Sequence, residues 1–359
     1  MTPLRRFSFT DFNIERGERA KDCHQGSELM ASITMGRLRF AAAVLTAAVM
    51  LGAASTGAGA QQYPTQDIHF ICVFPPGSGA DVLVRYFAEK VRPLTGKNII
   101  VENKSGAGGN IGIEYAARSK PDGYTVLVHG ASGVAASMSL FKSPPVDVAK
   151  TIQIAATINR QPFMVLVDAK SPYKTLADLT AAMKAKGDKA SYATAAPFGS
   201  VVGEIYKQAT GITAREVIYK NAIDSLNEQL SGVLDYSVHD PVYALAQQRE
   251  GRLRILAVST SERLKANPDM PTFKELGISN YNLMGWWAAM VPAGTPPAAI
   301  EQINKWFNQV VGSDETREFL AKFGGDQLTM PPDKAQELFV QEIKNWAEYV
   351  RIAKIVPQG

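Results

Sequence analysis

Short apolar runs alternate with helically spaced segments along most of the chain. Ile68–Phe74 (IHFICVF) is rich in β-branched and aromatic residues, which predicts a strand buried on both faces. Pro75-Pro76-Gly77-Ser78-Gly79 breaks that run, and Ala80–Arg92 resumes with Val82, Val84, Phe87 and Val91 at helical spacing. Asn98–Val101 reads as the next strand, Ile111–Arg118 as a helix and Tyr124–His129 as a third strand. Strands separated by helices predict an α/β fold with parallel pairing and right-handed crossovers.

The same rhythm recurs further on. Phe163–Val167, Ala190–Thr194, Glu216–Tyr219, Leu234–Val238 and Leu253–Ser259 read as strands, with helices at Ser200–Thr210, Ala222–Leu230 and Val242–Arg249 between them. Tyr281–Val291 (YNLMGWWAAMV) is a longer strand, and the remainder is helical from Pro297, with loops near Gly324–Pro332. Two α/β halves joined by two strand passages predict two lobes, one from residues 61–162 and 286–359 and the other from 163–285. Clefts between such lobes are favoured sites for small ligands.

The first 60 residues stand outside this pattern. Phe40–Ala54 (FAAAVLTAAVMLGAA) follows Arg37 and Arg39 and leads to Ala58-Gly59-Ala60. A basic start, a short apolar centre and an A-x-A end predict a secretory signal peptide cleaved after Ala60. The run is shorter than the roughly 20 residues of a membrane-spanning helix. Translation is expected to begin near Met35, with 1–34 an upstream extension.

Removing the leader changes the arithmetic. Of 38 basic and 34 acidic residues, seven and five lie in the first 60, so the net charge falls from +4 to +2. No block of Lys or Arg remains, which excludes a nucleic-acid partner. With 46% hydrophobic and 20% charged residues the chain reads as folded, neither disordered nor collagenous. Cys23 leaves with the leader, so Cys72, inside an apolar strand, reads as a packing residue. No His, Cys or carboxylate motif with metal spacing is present, so neither metal nor cofactor is expected.

Gly77, Ser78 and Gly79 lie between a strand and a helix, where backbone N–H groups and a helix dipole point toward the cleft. Asp81 falls in the first turn. The third glycine of a dinucleotide loop is missing, and no Lys-Ser/Thr follows as in a P-loop. Pro197-Phe198-Gly199-Ser200 occupies the equivalent place in the second half. Ser200 reads as a helix N-cap that also donates to a ligand. A hydrolase with Ser200 as nucleophile is the competing reading, although Phe198 and Val202 stand where a nucleophile elbow has glycines. His239-Asp240 ends a strand facing the cleft, with Asp240 able to bond to loop backbone. Of Trp286 and Trp287, one is expected in the core, and the other either walls the ligand site or packs in the core as well. The effector-binding half of a transcription regulator is a third reading, opposed by the leader.

The run Phe74-Pro75-Pro76-Gly77-Ser78-Gly79-Ala80-Asp81 resembles the F-P-P-G-G-x-x-D loop of the Bug family, the substrate-binding proteins of tripartite tricarboxylate transporters. The resemblance continues through 101–112, Pro121-Asp122-Gly123-Tyr124-Thr125, 256–260, 270–277 and Val291-Pro292-Ala293-Gly294-Thr295-Pro296-Pro297, in collinear order. It implies a two-lobed periplasmic binding protein type II fold (Venus flytrap), each lobe a mainly parallel sheet flanked by helices. It implies a periplasmic, monomeric receptor without catalysis or cofactor, which closes on a small carboxylate and serves the membrane components of such a transporter. The matching ligand-binding positions are Pro76, Gly77, Ser78, Gly79, Ala80 and Asp81, then Ala195, Ala196, Phe198, Gly199 and Ser200, with Asp240 and its neighbour His239. The family's second loop often runs S-x-G-x-G-S-x-x-H; here that histidine is absent, and Tyr219-Lys220-Asn221 replaces Tyr-Lys-Gly. Phe198, bulky in that loop, makes an aromatic or longer carboxylate conceivable. No Arg lies in either loop, so amides and waters are expected to recognise the anion.

Overall fold

The computed structural model describes residues 63–219, 222–265, 267–278 and 282–358. The leader, with Met35, Ala60 and Cys23, therefore lies outside the described residues, as do Lys220 and Asn221.

Among the described residues, eleven strands form two sheets. The first has the order β11–β4–β10–β3–β1–β2, from β1 (Ile68–Cys72), β2 (Ile99–Asn103), β3 (Thr125–Gly130), β4 (Ile152–Pro162), β10 (Met284–Pro292) and β11 (Asp326–Gln327). The second has the order β7–β6–β8–β5–β9, from β5 (Met164–Asp168), β6 (Ser191–Thr194), β7 (Arg215–Ile218), β8 (Tyr236–His239) and β9 (Leu253–Val258). The helices are α1 (Gly79–Thr95), α2 (Asn110–Ala117), α3 (Ala131–Leu140), α4 (Val148–Thr151), α5 (Leu176–Lys186), α6 (Pro197–Thr210), α7 (Leu226–Leu230), α8 (Pro241–Arg249), α9 (Pro297–Val311), α10 (Asp314–Lys322) and α11 (Pro332–Ile352).

Helix α1 illustrates how sequence becomes element. Ser78 caps its start and Gly96, in the left-handed region at φ 65°, ends it. Leu83, Val84, Phe87, Ala88 and Val91 are buried, whereas Val82, part of the stripe expected from spacing, is exposed. Phe87 stacks on Phe307 of α9 at 5.7 Å, so α1 and α9 cover the same face of the first sheet. Val134 and Ala135 of α3 and Phe339 of α11 pack in the other cluster, with Leu127 of β3.

Each sheet is mixed, not mainly parallel as the alternating pattern predicts. β1 pairs parallel with β2 and β3, and β6 parallel with β7 and β8. β10 runs antiparallel to β3 and β4, and β5 antiparallel to β8 and β9. Crossover handedness governs strands joined by a helix on the same sheet. A strand arriving from the other sheet is free of that rule, and β5 and β10 are the strands that begin the two passages' far ends.

The passages are tied together. The Phe163 N–H donates to Ser259 Oγ at 2.9 Å, the Ser259 N–H donates to the Phe163 carbonyl at 2.9 Å, and Ser259 Oγ donates to the Leu283 carbonyl at 2.5 Å. Beside them, Phe198 at the start of α6 is wedged between Phe163, 5.0 Å away, and Trp346 of α11, 5.2 Å away. Burying such rings stabilises by about 1.5–3 kcal/mol each.

Glu342 of α11 also sits at this junction, 7% exposed. Its carboxylate accepts from Trp286 Nε1 and from Ser132 of α3. Burial pushes the carboxyl up to about 7, against the pull of those bonds. The folded protein thus holds this proton more tightly than the unfolded chain does. The associated stability is complete below about pH 4.5 and is lost as pH rises to about 7, a change of about 3 kcal/mol. Glu342→Gln keeps the acceptor for Trp286 and removes the titration. The wild-type melting temperature should therefore fall relative to that of the variant between pH 5 and pH 8, whereas parallel profiles by scanning fluorimetry would contradict the assignment.

Candidate functional site

The first loop is locked by one carboxylate. Asp81, 2% exposed, accepts from the Gly77 N–H at 2.9 Å, from Arg85 Nε at 2.9 Å and from Asn103 Nδ2 at 2.8 Å. Asn103, the last residue of β2, also donates to the Phe74 carbonyl at 2.9 Å. Burial pushes the Asp81 carboxyl up, but these bonds more than offset it and hold it below the usual carboxylate range. Asp81 is therefore a positioning residue with no free oxygen to offer a ligand.

The same bonds sort the loop's donors. The Gly77 N–H goes to Asp81, the Ser78 N–H to the Pro75 carbonyl at 3.3 Å, and the Asp81 N–H to Ser78 Oγ at 3.2 Å. The N–H groups of Gly79 and Ala80 open the first turn and have no intrahelical acceptor. Pro75, Pro76 and Gly77 are exposed.

The second loop departs from the sequence expectation. α6 starts at Pro197, three residues before the expected boundary, with Ala196 as N-cap and no side-chain cap. Ser200 is thus inside the helix, and its N–H donates to the Ala196 carbonyl at 3.2 Å. Its Oγ donates to Glu216 Oε1 at 2.5 Å, an oxygen that Thr194 Oγ1 shares at 2.6 Å. A hydroxyl held by a carboxylate inside a lobe, with no histidine bonded to it among the described residues, is not a nucleophile poised for acyl transfer. Phe198 is 7% exposed and its ring fills the junction with Trp346, so it does not widen the ligand site for an aromatic group. Pro197 lacks an N–H, which leaves those of Phe198 and Gly199 as the first-turn donors. A Cβ on Gly199 would lie 2.9 Å from the Val238 carbonyl, so glycine is required there.

Val238 leads to the third element. His239 turns into its own lobe: Nε2 lies 3.3 Å from Ser225 Oγ, and the ring packs edge-on against Tyr243 at 4.7 Å. Burial pushes its imidazole down to about 3, so it stays neutral and takes no part in proton transfer at neutral pH. Asp240 caps α8, accepting from the Val242 N–H at 2.9 Å and the Tyr243 N–H at 3.2 Å. Burial raises its carboxyl, and those bonds pull the other way.

The starts of α1 and α8 meet across the two sheets. A Cβ on Gly79 would come within 2.9 Å of Val242 Cγ1, and one on Gly324 within 2.5 Å of Pro241 Cβ. Gly199 packs against Val238 of its own lobe, and the starts of α1, α6 and α8 follow the C-terminal ends of β1, β6 and β8, the end at which open α/β sheets bind ligands. Both tryptophans of β10 are buried; Trp287 stacks on Phe74 at 6.1 Å, behind the first loop. Surface hollows of about 460 and 380 Å³ beside Asp67 adjoin the opposite, N-terminal ends of β1 and β2.

Among the described residues, no three His, Cys, Asp or Glu side chains are grouped to hold a metal ion. Cys72 is buried, and burial pushes its thiol up, away from reactivity. No described helix is long and apolar enough to cross a membrane.

Residues 83–355 match the family model described as the tripartite tricarboxylate transporter family receptor. The chain is 31% identical over 296 residues to protein BugT of Bordetella pertussis, covering 81% of this chain and 90% of BugT. Among solved structures, an R. palustris protein determined with adipate superposes with a TM-score of 0.75 at 26% identity, over 82% of this chain and 99% of that one. The periplasmic binding protein BugD superposes with a TM-score of 0.71, also at 26% identity, over 82% of this chain and 99% of its own. The two-lobed, helix-flanked α/β architecture is that of periplasmic binding proteins, and the chain belongs to the tripartite tricarboxylate transporter receptor family, a family of periplasmic solute receptors and not of enzymes.

Proposed function

We propose that this protein captures a small carboxylate between its lobes and presents it to the membrane components of a tripartite tricarboxylate-type transporter, after export and cleavage of the leader behind Ala60. What supports this reading is that α1 and α6 both begin at strand-to-helix turns with first-turn amides free of intrahelical acceptors, while Asp81, Glu216 and Asp240 beside them are engaged within their own lobes. The donors are the N–H groups of Gly79, Ala80, Phe198 and Gly199, with Ala195 and Ala196 as the wall between them. Asp81 and Asp240 shape these turns, and Ser200 and His239 support them from behind.

The energetics favour an anion that spans both lobes. A carboxylate loses several kcal/mol on leaving water unless each oxygen is hydrogen-bonded. Charge-assisted bonds return about 1.5–3 kcal/mol apiece, so roughly four to six of them offset that cost. Only a closed state lets both lobes donate at once, so binding and closure are linked. With the Phe198 ring packed against Trp346, aliphatic carboxylates fit this reading better than aromatic ones. The R. palustris relative determined with adipate supports the same chemical class.

A thermal-shift screen of mono-, di- and tricarboxylates tests the reading. A ligand at 100 times its dissociation constant stabilises by about 2.7 kcal/mol, and a panel in which no carboxylate raises the melting temperature would refute it. The approach of Gly79 to Val242 gives a second test. Gly79→Ala places a methyl 2.9 Å from Val242 Cγ1 and should weaken ligand binding about tenfold by holding the lobes apart. Adding Val242→Ala should restore affinity, and failure of that rescue would disconnect the contact from closure. For export, the intact mass of the protein from a periplasmic extract should match a chain beginning at Gln61; a mass that retains Phe40–Ala54 would exclude cleavage there.

A further inference from the structure

The proposed donors from α1 and α6 hold one carboxylate, and a separate polar group lies beside the first loop without a partner. His129, the fifth residue of β3, is 7% exposed, and its Nδ1 has no hydrogen-bond partner. Its ring packs edge-on against Phe74 at 5.2 Å and Trp287 at 5.8 Å. Nε2 faces the starts of α2 and α3. A Cβ on Gly109, the N-cap of α2, would lie 3.7 Å from Nε2, and one on Gly133, the third residue of α3, would lie 3.4 Å from it.

Gly133 is the opening. It is exposed, and the space beside its Cα touches nothing within 4 Å except the His129 ring. An alanine there would cover Nε2; a glycine leaves it reachable from outside. Neither α2 nor α3 has a side-chain cap, so their first-turn amides add a positive end on each side of the ring. Asn110, at the start of α2, is 6% exposed and carries an unpartnered Oδ1.

The tautomer follows from the unpartnered nitrogen. A buried N–H without an acceptor is rarer than an acceptor without a donor, so the proton belongs on Nε2, facing Gly133. Burial pushes the imidazole down to about 4, which keeps the ring neutral and Nε2 a donor across the neutral range. Among carboxyls on the elements around the ring, Glu342 is already bonded to Ser132 and Trp286, and Glu114 of α2 pairs with Arg118.

We propose that His129 Nε2–H binds a second carboxylate of the ligand over Gly133, making this receptor selective for dicarboxylates over monocarboxylates of equal length. The inference rests on the carboxylate reading above and adds the residue that sets specificity within it. A site built to hydrogen-bond a substrate group discriminates strongly against an analogue that lacks it, because its buried polar atoms are then left unpaired.

Calorimetric titration of matched pairs, adipate with hexanoate and succinate with butanoate, separates the possibilities. The wild type should bind at least one diacid about tenfold or more tightly than its monoacid partner. His129→Phe keeps the ring against Phe74 and Trp287 but removes the donor. Gly133→Ala covers Nε2 while favouring the helix. Both variants should lose the diacid preference and keep the monoacid affinity. A preference retained in both variants, or a wild type that binds monoacids as tightly as diacids, overturns the role of His129 and leaves carboxylate capture standing. A wild type that binds none of the four acids, nor any acid of the wider panel, removes the carboxylate reading itself and this inference with it. If His129→Phe does not fold, Gly133→Ala alone decides.

Discussion

Ser259 joins the two places where the chain passes between sheets, and the geometry of the cleft depends on that junction. One hydroxyl receives the Phe163 N–H and donates to the Leu283 carbonyl, so the outgoing and returning passages are held within hydrogen-bond reach of each other. A junction of two tied strands lets lobes rotate about it while resisting separation, the arrangement hinge closure requires. Packing reinforces it: Phe198 enters between Phe163 and Trp346, so the start of α6 is anchored to the C-terminal helix. The start of α6 is thereby fixed to the junction itself.

Around the cleft, acidic side chains serve the backbone. Asp81 gathers Gly77, Arg85 and Asn103; Glu216 takes the hydroxyls of Thr194 and Ser200; Asp240 caps α8. Each such bond fixes a turn and at the same time satisfies a charge that would otherwise repel an anion. In the proposed mode of capture the amides left over carry the attraction, at fixed positions and without the long flexible side chain of an arginine. Recognition of this kind depends on the order of the loops more than on net charge, in keeping with a chain whose net charge is only +4.

Much of this was legible from residues. The strand and helix rhythm places β1, α1, β2, α2 and β3 within a few residues. The misses have physical causes. β4 escaped notice because Gln153, Thr157, Asn159 and Arg160 break its apolar pattern. Thr157 is nevertheless fully buried, its hydroxyl donating to the Leu328 carbonyl, a partner 171 residues away that local pattern cannot supply. α3 is made of small residues with little periodic contrast, so its burial between β10 and α11 left no stripe to read. Phe198 and Ser200 depart from expectation, with Phe198 turned to Trp346 and Ser200 to Glu216, since which way a helix-start side chain points is decided by what packs behind it.

By itself the sequence determined the class of fold and the two glycine-bearing turns, because these depend on local periodicity, small residues and helix-start chemistry. The tertiary structure alone decided the mixed strand directions, the occupied state of Asp81, Ser200 and His239, and the exposed notch at Gly133 beside His129. Those features rest on contacts between residues far apart in the chain, and a side chain's availability to a ligand is known only once its other neighbours are in place.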